Sequence, residues 1–357
     1  MGMRPGGRAS AGSSGDTQPQ PTGATRAEPS PSSVSMLSTT AGGAPDVRET
    51  RFRFDSGLSD DAAGSADNST VGSSSGGSGG SGVGEGQSPP RPLSLSAVLT
   101  EPLSGRPGRG GGSGDGSVPP PVAILCHGFA SRKDCGLLTS IAHALCSEGV
   151  ACLRFDFRGN GESEGEFRYA NYMLEVADLR AAVELVRGPL DRRVAAVVGH
   201  SKGGNVVLLY GGKYDDVPLV VNLSGRYDLA AGVMERFGPA VLEELRTAGW
   251  VRQATRNGAG KGIVYKLTQQ DLDGRLALDM HAAAAAIKTS RVLTVHGSAD
   301  PVIPVGDAHE FAAVIPNHAL VVVEGADHVF RAPEHMAACV DAVVAGVLAS
   351  MADVTSD

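Results

Sequence analysis

The sequence has few aromatic residues and no dense run of basic ones. Aromatic side chains make up 4% of the 357 residues, so platforms for stacking nucleic-acid bases are scarce. The formal net charge is −8, from 31 basic and 39 acidic residues, and a negative surface repels a phosphate backbone. These features exclude nucleic acid as an expected partner.

Cysteine is also scarce, and its spacing matches no metal-binding pattern. The five cysteines follow no zinc-site spacing, and the chain contains no His-Glu-x-x-His pair. We therefore expect neither a metal nor an organic cofactor. The cysteines are odd in number and lie mainly in apolar or helix-like segments, which indicates buried reduced thiols, with one surface disulfide as the open alternative.

The N-terminus lacks the apolar core of a secretory signal, and no stretch approaches the length that a membrane span requires. We therefore expect no membrane span. Residues 1–45 are instead rich in Ser, Pro and Gly, with three arginines. Two interpretations stay open for this segment, a disordered tail and a transit segment, and Asp16 and Glu28 count against the second. We expect a cytoplasmic protein, with a plastid location as the alternative.

Glycine and proline divide the chain near residue 120. Of the 49 glycines, 25 precede residue 121, as do 13 of the 21 prolines, and such a composition cannot bury enough apolar surface to offset its chain entropy. Within this low-complexity region, residues 46–120, two short pieces differ. Polar and apolar residues alternate in Thr50–Phe54 and in part of Pro92–Thr100, which is typical of strands. Either these are the first strands of the sheet, separated by insertions, or the whole region is disordered.

After residue 120, short apolar runs alternate with segments of helical periodicity. This rhythm predicts the α/β class, with a mostly parallel central sheet and helices on both of its faces, over residues 121–357. Between residues 226 and 290 the rhythm is interrupted by a helix-like segment and a hairpin. Because this insertion lies between two sheet strands, we expect it to form a small cap over the edge where ligands bind in this class.

The strongest motif is the pentapeptide Gly-x-Ser-x-Gly, formed here by Gly199, His200, Ser201, Lys202 and Gly203. An apolar strand precedes it and a helix follows it, which is the context that a nucleophile elbow requires. The two glycines leave room for a sharp, strained turn that lifts the serine hydroxyl above the sheet. We therefore predict that Ser201 is a catalytic nucleophile.

A serine hydroxyl needs a base to remove its proton, and that base is normally a histidine held by a carboxylate. Asp300 follows the predicted strand Val292–His296, and His328 follows the next one, Leu320–Val323. The order serine, acid, histidine agrees with the α/β-hydrolase triad. We predict Asp300 as the acid and His328 as the base. Asp327 is a rival acid, but its position next to His328 makes side-chain pairing awkward.

Acyl transfer also needs backbone N–H donors that stabilise the developing oxyanion. The residue after the nucleophile, Lys202, supplies the first donor. The second should come from a loop after an earlier strand, and Phe129, in the His127-Gly128-Phe129 loop, is the candidate. We interpret His127 as a residue that shapes this loop.

At this point the chain resembles a known family. The segments His127–Phe129, Leu153–Ser163, Gly199–Gly204, Val295–Asp300 and Gly325–His328 occur in the order found in the serine aminopeptidase-like α/β hydrolases, which include cinnamoyl and feruloyl esterases. The resemblance runs from about residue 120 to the C-terminus and implies an oxyanion hole formed by the Phe129 and Lys202 amides. Those esterases usually carry Gln after the nucleophile, so the cation of Lys202 is expected to change the preferred substrate.

Together these features predict a serine hydrolase that cleaves carboxylic esters of small molecules through an acyl-enzyme. A lipase, a thioesterase or a peptidase of the same fold stays open, because the triad serves all of them and the pocket decides. A ligand receptor that retains the triad and turns over once or not at all also stays open. The sequence gives no indication of the oligomeric state.

Overall fold

The computed structural model describes residues 34–41, 47–59, 91–103, 118–256 and 260–354. The predictions for residues 1–33 and for the Gly/Ser tracts lie outside these ranges. In chain order, the strands are β1 Val34–Ala41, β2 Val47–Asp55, β3 Ser94–Pro102, β4 Val122–Cys126, β5 Ala151–Phe155, β6 Val194–His200, β7 Leu219–Leu223, β8 Trp250–Arg256, β9 Gly262–Thr268, β10 Arg291–Gly297 and β11 His318–Val323. Strands β8 and β9 form an antiparallel ribbon, and the others form one nine-stranded sheet.

The large sheet is mostly parallel, as predicted. Its strand order is β1-β2-β3-β5-β4-β6-β7-β10-β11, and every neighbouring pair from β5 to β11 is parallel. The central strands β4 to β7 are buried along their whole length, which is why they read as continuous apolar runs rather than as alternating patterns.

Helices cover both faces of this sheet. The helices are α1 Gly136–Ser147, α2 Tyr172–Arg187, α3 Lys202–Tyr214, α4 Val233–Ala248, α5 Gln269–Leu276, α6 Met280–Ala286, α7 Gly306–Val314 and α8 Pro333–Val354. Buried residues of α1 and α8 belong to one core cluster, whereas those of α2, α3, α6 and α7 belong to another. The arrangement confirms the predicted fold class, with helices on both faces of a mostly parallel sheet.

The two alternating segments before residue 120 form β2 and β3, which join the sheet in antiparallel fashion. Phe52 and Phe54 of β2 are buried, and the Phe54 ring packs edge-on against Phe155 of β5. Strand β1 lies within residues 1–45, for which we predicted a disordered tail or a transit segment, and it pairs antiparallel with β2. A disordered tail therefore does not describe Val34–Ala41, whereas the transit segment stays a prediction. Strand β1 forms through main-chain pairing with β2, and its sequence has no alternation of polar and apolar residues that would predict a strand.

The cap is smaller than the predicted insertion, residues 226–290. It consists of α4, β8, β9 and α5, whose buried residues form a third cluster that includes Phe237, Leu245 and Leu267. Helix α6 lies inside the predicted range, but its Met280 and Ala284 pack in the main core. We use "cap" below for residues 233–276.

The C-terminal helix α8 corrects a further expectation. Its segment Pro333–Asp353 is long and apolar enough to cross a membrane, although we expected no stretch of that length. Residues Cys339, Val343 and Val347 of this helix are buried in the core cluster that α1 shares. An apolar helix that covers a sheet meets the same criterion of length and composition, so the segment does not establish a span.

All five cysteines lie in the described part of the chain and are free. Four of them are buried, and Cys135 is half-buried. Burial raises the pKa of Cys126 and of Cys152 well above the usual thiol range, so these thiols are poor nucleophiles.

Candidate active site

The predicted nucleophile lies in a strained turn between β6 and α3. Ser201 has a φ of 56° and a ψ of −118°, a conformation that non-glycine residues rarely adopt. A Cβ on Gly199 would lie 2.0 Å from the carbonyl oxygen of Gly203, so the turn leaves no space for a side chain there. The sequence thus folds into the sharp elbow that the pentapeptide predicts.

The structure brings the three predicted triad residues into hydrogen-bond contact. The Nε2 atom of His328 lies 3.0 Å from the Oγ atom of Ser201, and its Nδ1 atom lies 2.7 Å from Oδ2 of Asp300. Ser201 follows β6, Asp300 follows β10 and His328 follows β11, so all three lie at the carboxyl edge of parallel strands. This arrangement can relay a proton from the hydroxyl to the imidazole.

Asp300 is held in its ionised form by a set of donors. Its Oδ1 atom accepts hydrogen bonds from the amides of Val302, at 2.7 Å, and Ile303, at 2.9 Å. Burial opposes ionisation, but hydrogen bonds from His296, His328 and the Ile303 amide outweigh it and hold the pKa of Asp300 well below its usual range. The negative charge fixes the Nδ1–H tautomer of His328 and leaves Nε2 free to accept the serine proton.

His296, at the end of the predicted strand, also contacts the predicted acid, Asp300. Its Nε2 atom donates to the Ile303 carbonyl oxygen at 2.9 Å and lies 3.4 Å from Oδ2 of Asp300. The ring is fully buried, and its Nδ1 atom has no hydrogen-bond partner in the described chain. His296 therefore packs behind the acid and supports the loop that carries it.

His200, which we predicted only as part of the elbow, binds the main chain of the loop that carries His328. Its Nε2 atom donates to the main-chain oxygen of His328 at 2.8 Å, and the two rings lie 5.1 Å apart. Burial, and next the nearby His328, lower the pKa of His200 to about 4, so the ring stays neutral near pH 7. A signal for this role was absent from the sequence, because the variable position of the pentapeptide accepts many residue types.

The predicted oxyanion loop lies directly beside the nucleophile. A Cβ on Gly128 would lie 3.1 Å from both the Ser201 Cβ and the His200 carbonyl oxygen. His127 fixes the loop, because its Nδ1 atom donates to the Gly128 oxygen and its Nε2 atom accepts the Phe157 amide. Among the loop and turn hydrogen bonds of the described chain, the amides of Phe129 and Lys202 have no acceptor. Both amides are thus available to a substrate oxygen.

The side chain of Lys202 points away from the solvent into a buried ion pair. Its Nζ atom lies 2.7 Å from Oε1 of Glu175 on α2, with 7% and 3% of the two side chains exposed. It also lies 5.1 Å from the centre of the Tyr172 ring. Because Glu175 balances this charge, the cation that we expected to influence the substrate is largely neutralised.

The candidate site opens into a cleft of about 360 Å³ between the strand ends and the cap. Of its lining residues, Phe129, Ser201 and Lys202 were predicted from the sequence. The cap adds Glu235, Arg236 and Arg275, which no motif indicated. The lining residues are Phe129, Tyr169, Tyr172, Ser201, Lys202, Asn205, Arg226, Ala231, Gly232, Glu235, Arg236, Arg275, Pro301, Val302 and Ile303.

Other ionisable groups near the site have local partners. Asp327, the rival acid, accepts the amides of Val329 and Arg331 and forms an ion pair with the Arg331 side chain. His281 is exposed and its Nδ1 atom contacts the Tyr227 hydroxyl. Within the described ranges, no group of three or more His, Cys, Asp or Glu side chains could hold a metal ion.

The sequence model of the family described as serine aminopeptidase, S33, matches residues 118–271. Over these residues, which are fewer than half of the chain, the sequence is similar to the serine aminopeptidase-like α/β hydrolases. The match covers β4 to β9, which include the elbow and the oxyanion loop, whereas Asp300 and His328 lie beyond it. The predicted resemblance to this family and the predicted α/β-hydrolase fold are therefore confirmed, and the chain is a hydrolase.

Relatives of this hydrolase include both characterised and uncharacterised proteins. An uncharacterised protein of Saccharomyces cerevisiae is 26% identical over 225 residues, which cover 58% of this chain and 68% of that protein. A monoacylglycerol lipase of Mycolicibacterium smegmatis is 27% identical over 206 residues, or 52% and 71% of the two chains. The solved structure of Est1E from Butyrivibrio proteoclasticus with ferulic acid has 22% identity and a TM-score of 0.53, and covers 73% and 96% of the chains. At that identity, the structural likeness shows the fold.

Proposed function

We propose that this hydrolase cleaves carboxylic esters through an acyl-enzyme on Ser201. The observation that carries the proposal is the pair of hydrogen bonds of His328, one to the serine hydroxyl and one to Asp300. A hydroxyl within reach of an imidazole whose tautomer is fixed by a carboxylate is an activated nucleophile.

The reaction follows from these contacts. The Ser201 oxygen attacks the ester carbonyl carbon while His328 accepts the hydroxyl proton, and the amides of Phe129 and Lys202 stabilise the oxyanion. His328 then returns the proton to the departing alcohol, which leaves the acyl group on Ser201. A water molecule, deprotonated by the same imidazole, attacks the acyl carbon and releases the carboxylic acid. Asp300 stabilises the imidazolium that forms in each half-reaction.

Ester cleavage is favoured over the alternative reactions by the named relatives. The Mycolicibacterium smegmatis protein is a monoacylglycerol lipase, and the Est1E structure holds ferulic acid. A lipase acting on monoacylglycerol-like esters is the second candidate function, and the similarity to that lipase over 206 residues supports it. A receptor that retains the triad is the alternative outside enzymes.

Turnover of p-nitrophenyl butyrate by the full chain tests the proposal. We expect repeated turnover by the wild-type chain and a loss of about a thousandfold or more in kcat for Ser201→Ala. Ser147→Ala, which changes an exposed serine on α1, is the matched control and should keep the wild-type rate. A fluorophosphonate probe should label the wild type and the control but not Ser201→Ala.

Release of one equivalent of nitrophenol per chain, with no further turnover, would support the receptor instead. Wild-type activity in Ser201→Ala would contradict the serine mechanism. Comparing butyrate with longer acyl chains and with monoacylglycerols then separates a lipase from a short-chain esterase.

A further inference from the structure

The cleft beside Ser201 contains more positive than negative groups. Its basic lining residues are Lys202, Arg226, Arg236 and Arg275, and Glu235 is the one carboxylate among the described residues that line it. The whole chain has a net charge of −8, so this excess of cations is local and opposite in sign to the protein. Such a cleft attracts anions and concentrates them at its mouth.

Within the described part of the chain, the other three cations form no ion pair like the one between Lys202 and Glu175. Arg275 is 8% exposed, yet its Nε atom donates to the Leu229 carbonyl oxygen at 2.8 Å and its Nη1 atom contacts the Tyr172 hydroxyl. Burial raises the pKa of Tyr172 to about 12, so this hydroxyl is neutral. A guanidinium that is nearly buried between neutral partners costs free energy unless an anion joins it.

Arg226 and Arg236 line the same cleft as Ser201. Arg226 donates to the Val302 carbonyl oxygen at 2.5 Å. The Asp307 carboxylate attracts Arg226 without a direct ion pair and accepts the Tyr227 amide. The Arg236 guanidinium lies 4.5 Å from the centre of the ring of Phe129. Arg236 therefore lies next to the residue whose amide would stabilise the oxyanion.

We propose that the cleft selects esters that carry an anionic group, a carboxylate or a phosphate, close to the scissile bond, and that Arg226, Arg236 and Arg275 bind this group. The guanidinium presents paired N–H donors that match both kinds of oxyanion. The proposal rests on the proposed function, because it concerns the substrate of the same site. It also explains a positive cleft in an acidic chain, which a neutral monoacylglycerol or feruloyl ester would not require.

The test compares esters that differ only in charge. On the leaving-group side, the substrates are 4-acetoxybenzoate, 4-acetoxyphenyl phosphate and the neutral 4-acetoxybenzamide. On the acyl side, they are the p-nitrophenyl monoester of adipic acid and its neutral adipamide counterpart. Each kcat/KM is divided by the rate constant for hydroxide-catalysed hydrolysis of the same ester. On the side of the ester that the subsite contacts, leaving group or acyl, we expect this normalised kcat/KM to be about tenfold or more higher for the charged ester than for its neutral counterpart. The benzoate and phosphate arms then distinguish the two anions.

Arginine variants connect this preference to the cleft. Arg226→Gln and Arg236→Gln should each lower the charged-to-neutral ratio by about tenfold, the loss expected for one charge-assisted hydrogen bond. Arg275→Gln should lower this ratio as well. If Arg275→Gln folds poorly, Arg275→Lys takes its place; it keeps the charge, so its charged-to-neutral ratio should lie closer to the wild-type value. Arg246→Gln is the matched control, because Arg246 lies on the same helix as Arg236 but pairs with Glu243 outside the cleft.

Equal rates on charged and neutral esters, or a ratio that none of the cleft variants changes, would overturn the anionic subsite while ester hydrolysis at Ser201 stands. If no ester is hydrolysed, the proposed function fails, and calorimetric titration of Ser201→Ala with 4-acetoxybenzoate and 4-acetoxybenzamide decides the subsite separately. The anionic subsite is supported if Ser201→Ala binds 4-acetoxybenzoate about tenfold more tightly than 4-acetoxybenzamide, and if this difference is lost when Arg226→Gln is added. Equal affinities overturn it.

Discussion

The carboxyl edge of the parallel strands and the cap above it are organised differently. At the strand edge, each candidate catalytic side chain has defined partners, such as the two amides that hold Asp300 and the ring of His200 that holds the His328 loop. In the cap and the loop before it, Arg226 and Arg236 are partly or fully exposed and form no ion pair in the described chain. In the two proposals above, the edge fixes the reaction and the cap side sets the substrate.

The largest effect should follow from changing the acid at the strand edge. Asp300→Asn keeps the shape of the side chain but favours the wrong tautomer of His328, so we expect kcat to fall by about ten-thousandfold. Asp327→Asn is the matched control, because this neighbouring carboxylate binds Arg331 and the local amides. Ester-turnover kinetics measure both variants. If kcat fell by a similar factor in both variants, Asp300 would not be the specific partner of His328, and the contrast between the strand edge and its surroundings would be lost.

The ion pair below the cleft should have the next largest effect. Lys202→Met leaves Glu175 as an unpaired carboxylate with 3% of its side chain exposed, so the free energy of unfolding should fall by about 3–5 kcal/mol. Adding Glu175→Gln removes the buried charge and should recover most of this loss. Urea unfolding monitored by circular dichroism gives the values. A double variant that is no more stable than the single one would contradict this account of the pair.

His200 should make the stability of the edge depend on pH. Its folded pKa of about 4 lies below the ordinary value of 6.5, so the unfolded chain binds the proton first as the pH falls. The contribution is complete above pH 6.5 and is lost as the pH falls to about 4, by up to about 3 kcal/mol. In His200→Asn, the decrease in unfolding free energy over this window should be smaller than in the wild type. The exposed His309→Asn should behave like the wild type, and an unchanged profile in His200→Asn would refute the assignment.

The smallest effects come from one chemical change made in both regions. Gly199→Ala places a Cβ against the Gly203 carbonyl, and we expect a loss of about 1–3 kcal/mol in unfolding free energy. Gly274→Ala, within α5 of the cap, meets no atom within 4 Å and should stabilise the chain by up to about 1 kcal/mol. Parallel urea titrations compare the two. Equal effects would show that the edge tolerates change as well as the cap does.

The same difference explains what could be predicted from the sequence. Ser201 lies in a contiguous pentapeptide whose glycines are required by local geometry, and Asp300 and His328 each follow an apolar run, so strand order alone suggests that they meet. Arg226, Arg236 and Arg275 come from a loop and two cap helices that contain no functional motif. Their convergence depends on how α4 and α5 pack, which long-range contacts determine.

Other differences have equally local causes. The helix-like segment predicted within the insertion is α4, which begins at Val233 and is kinked at Gly238, where φ is 73°. Strand β1 escaped notice because its sequence, rich in Ser and Thr, has no clear alternation of polar and apolar residues. The role of His200 depends on a carbonyl 128 residues further along the chain.

The pairing of β3 with β5 has a consequence for fragments of this chain. The family match begins at residue 118, so a fragment cut there would lack β1 to β3. The outer rim of β5 would then present unbonded N–H and C=O groups to a second molecule, and Arg154, whose guanidinium contacts Glu49 at 2.5 Å, would lose a counter-ion. Self-association, rather than a smaller active enzyme, is the expected fate of such a fragment.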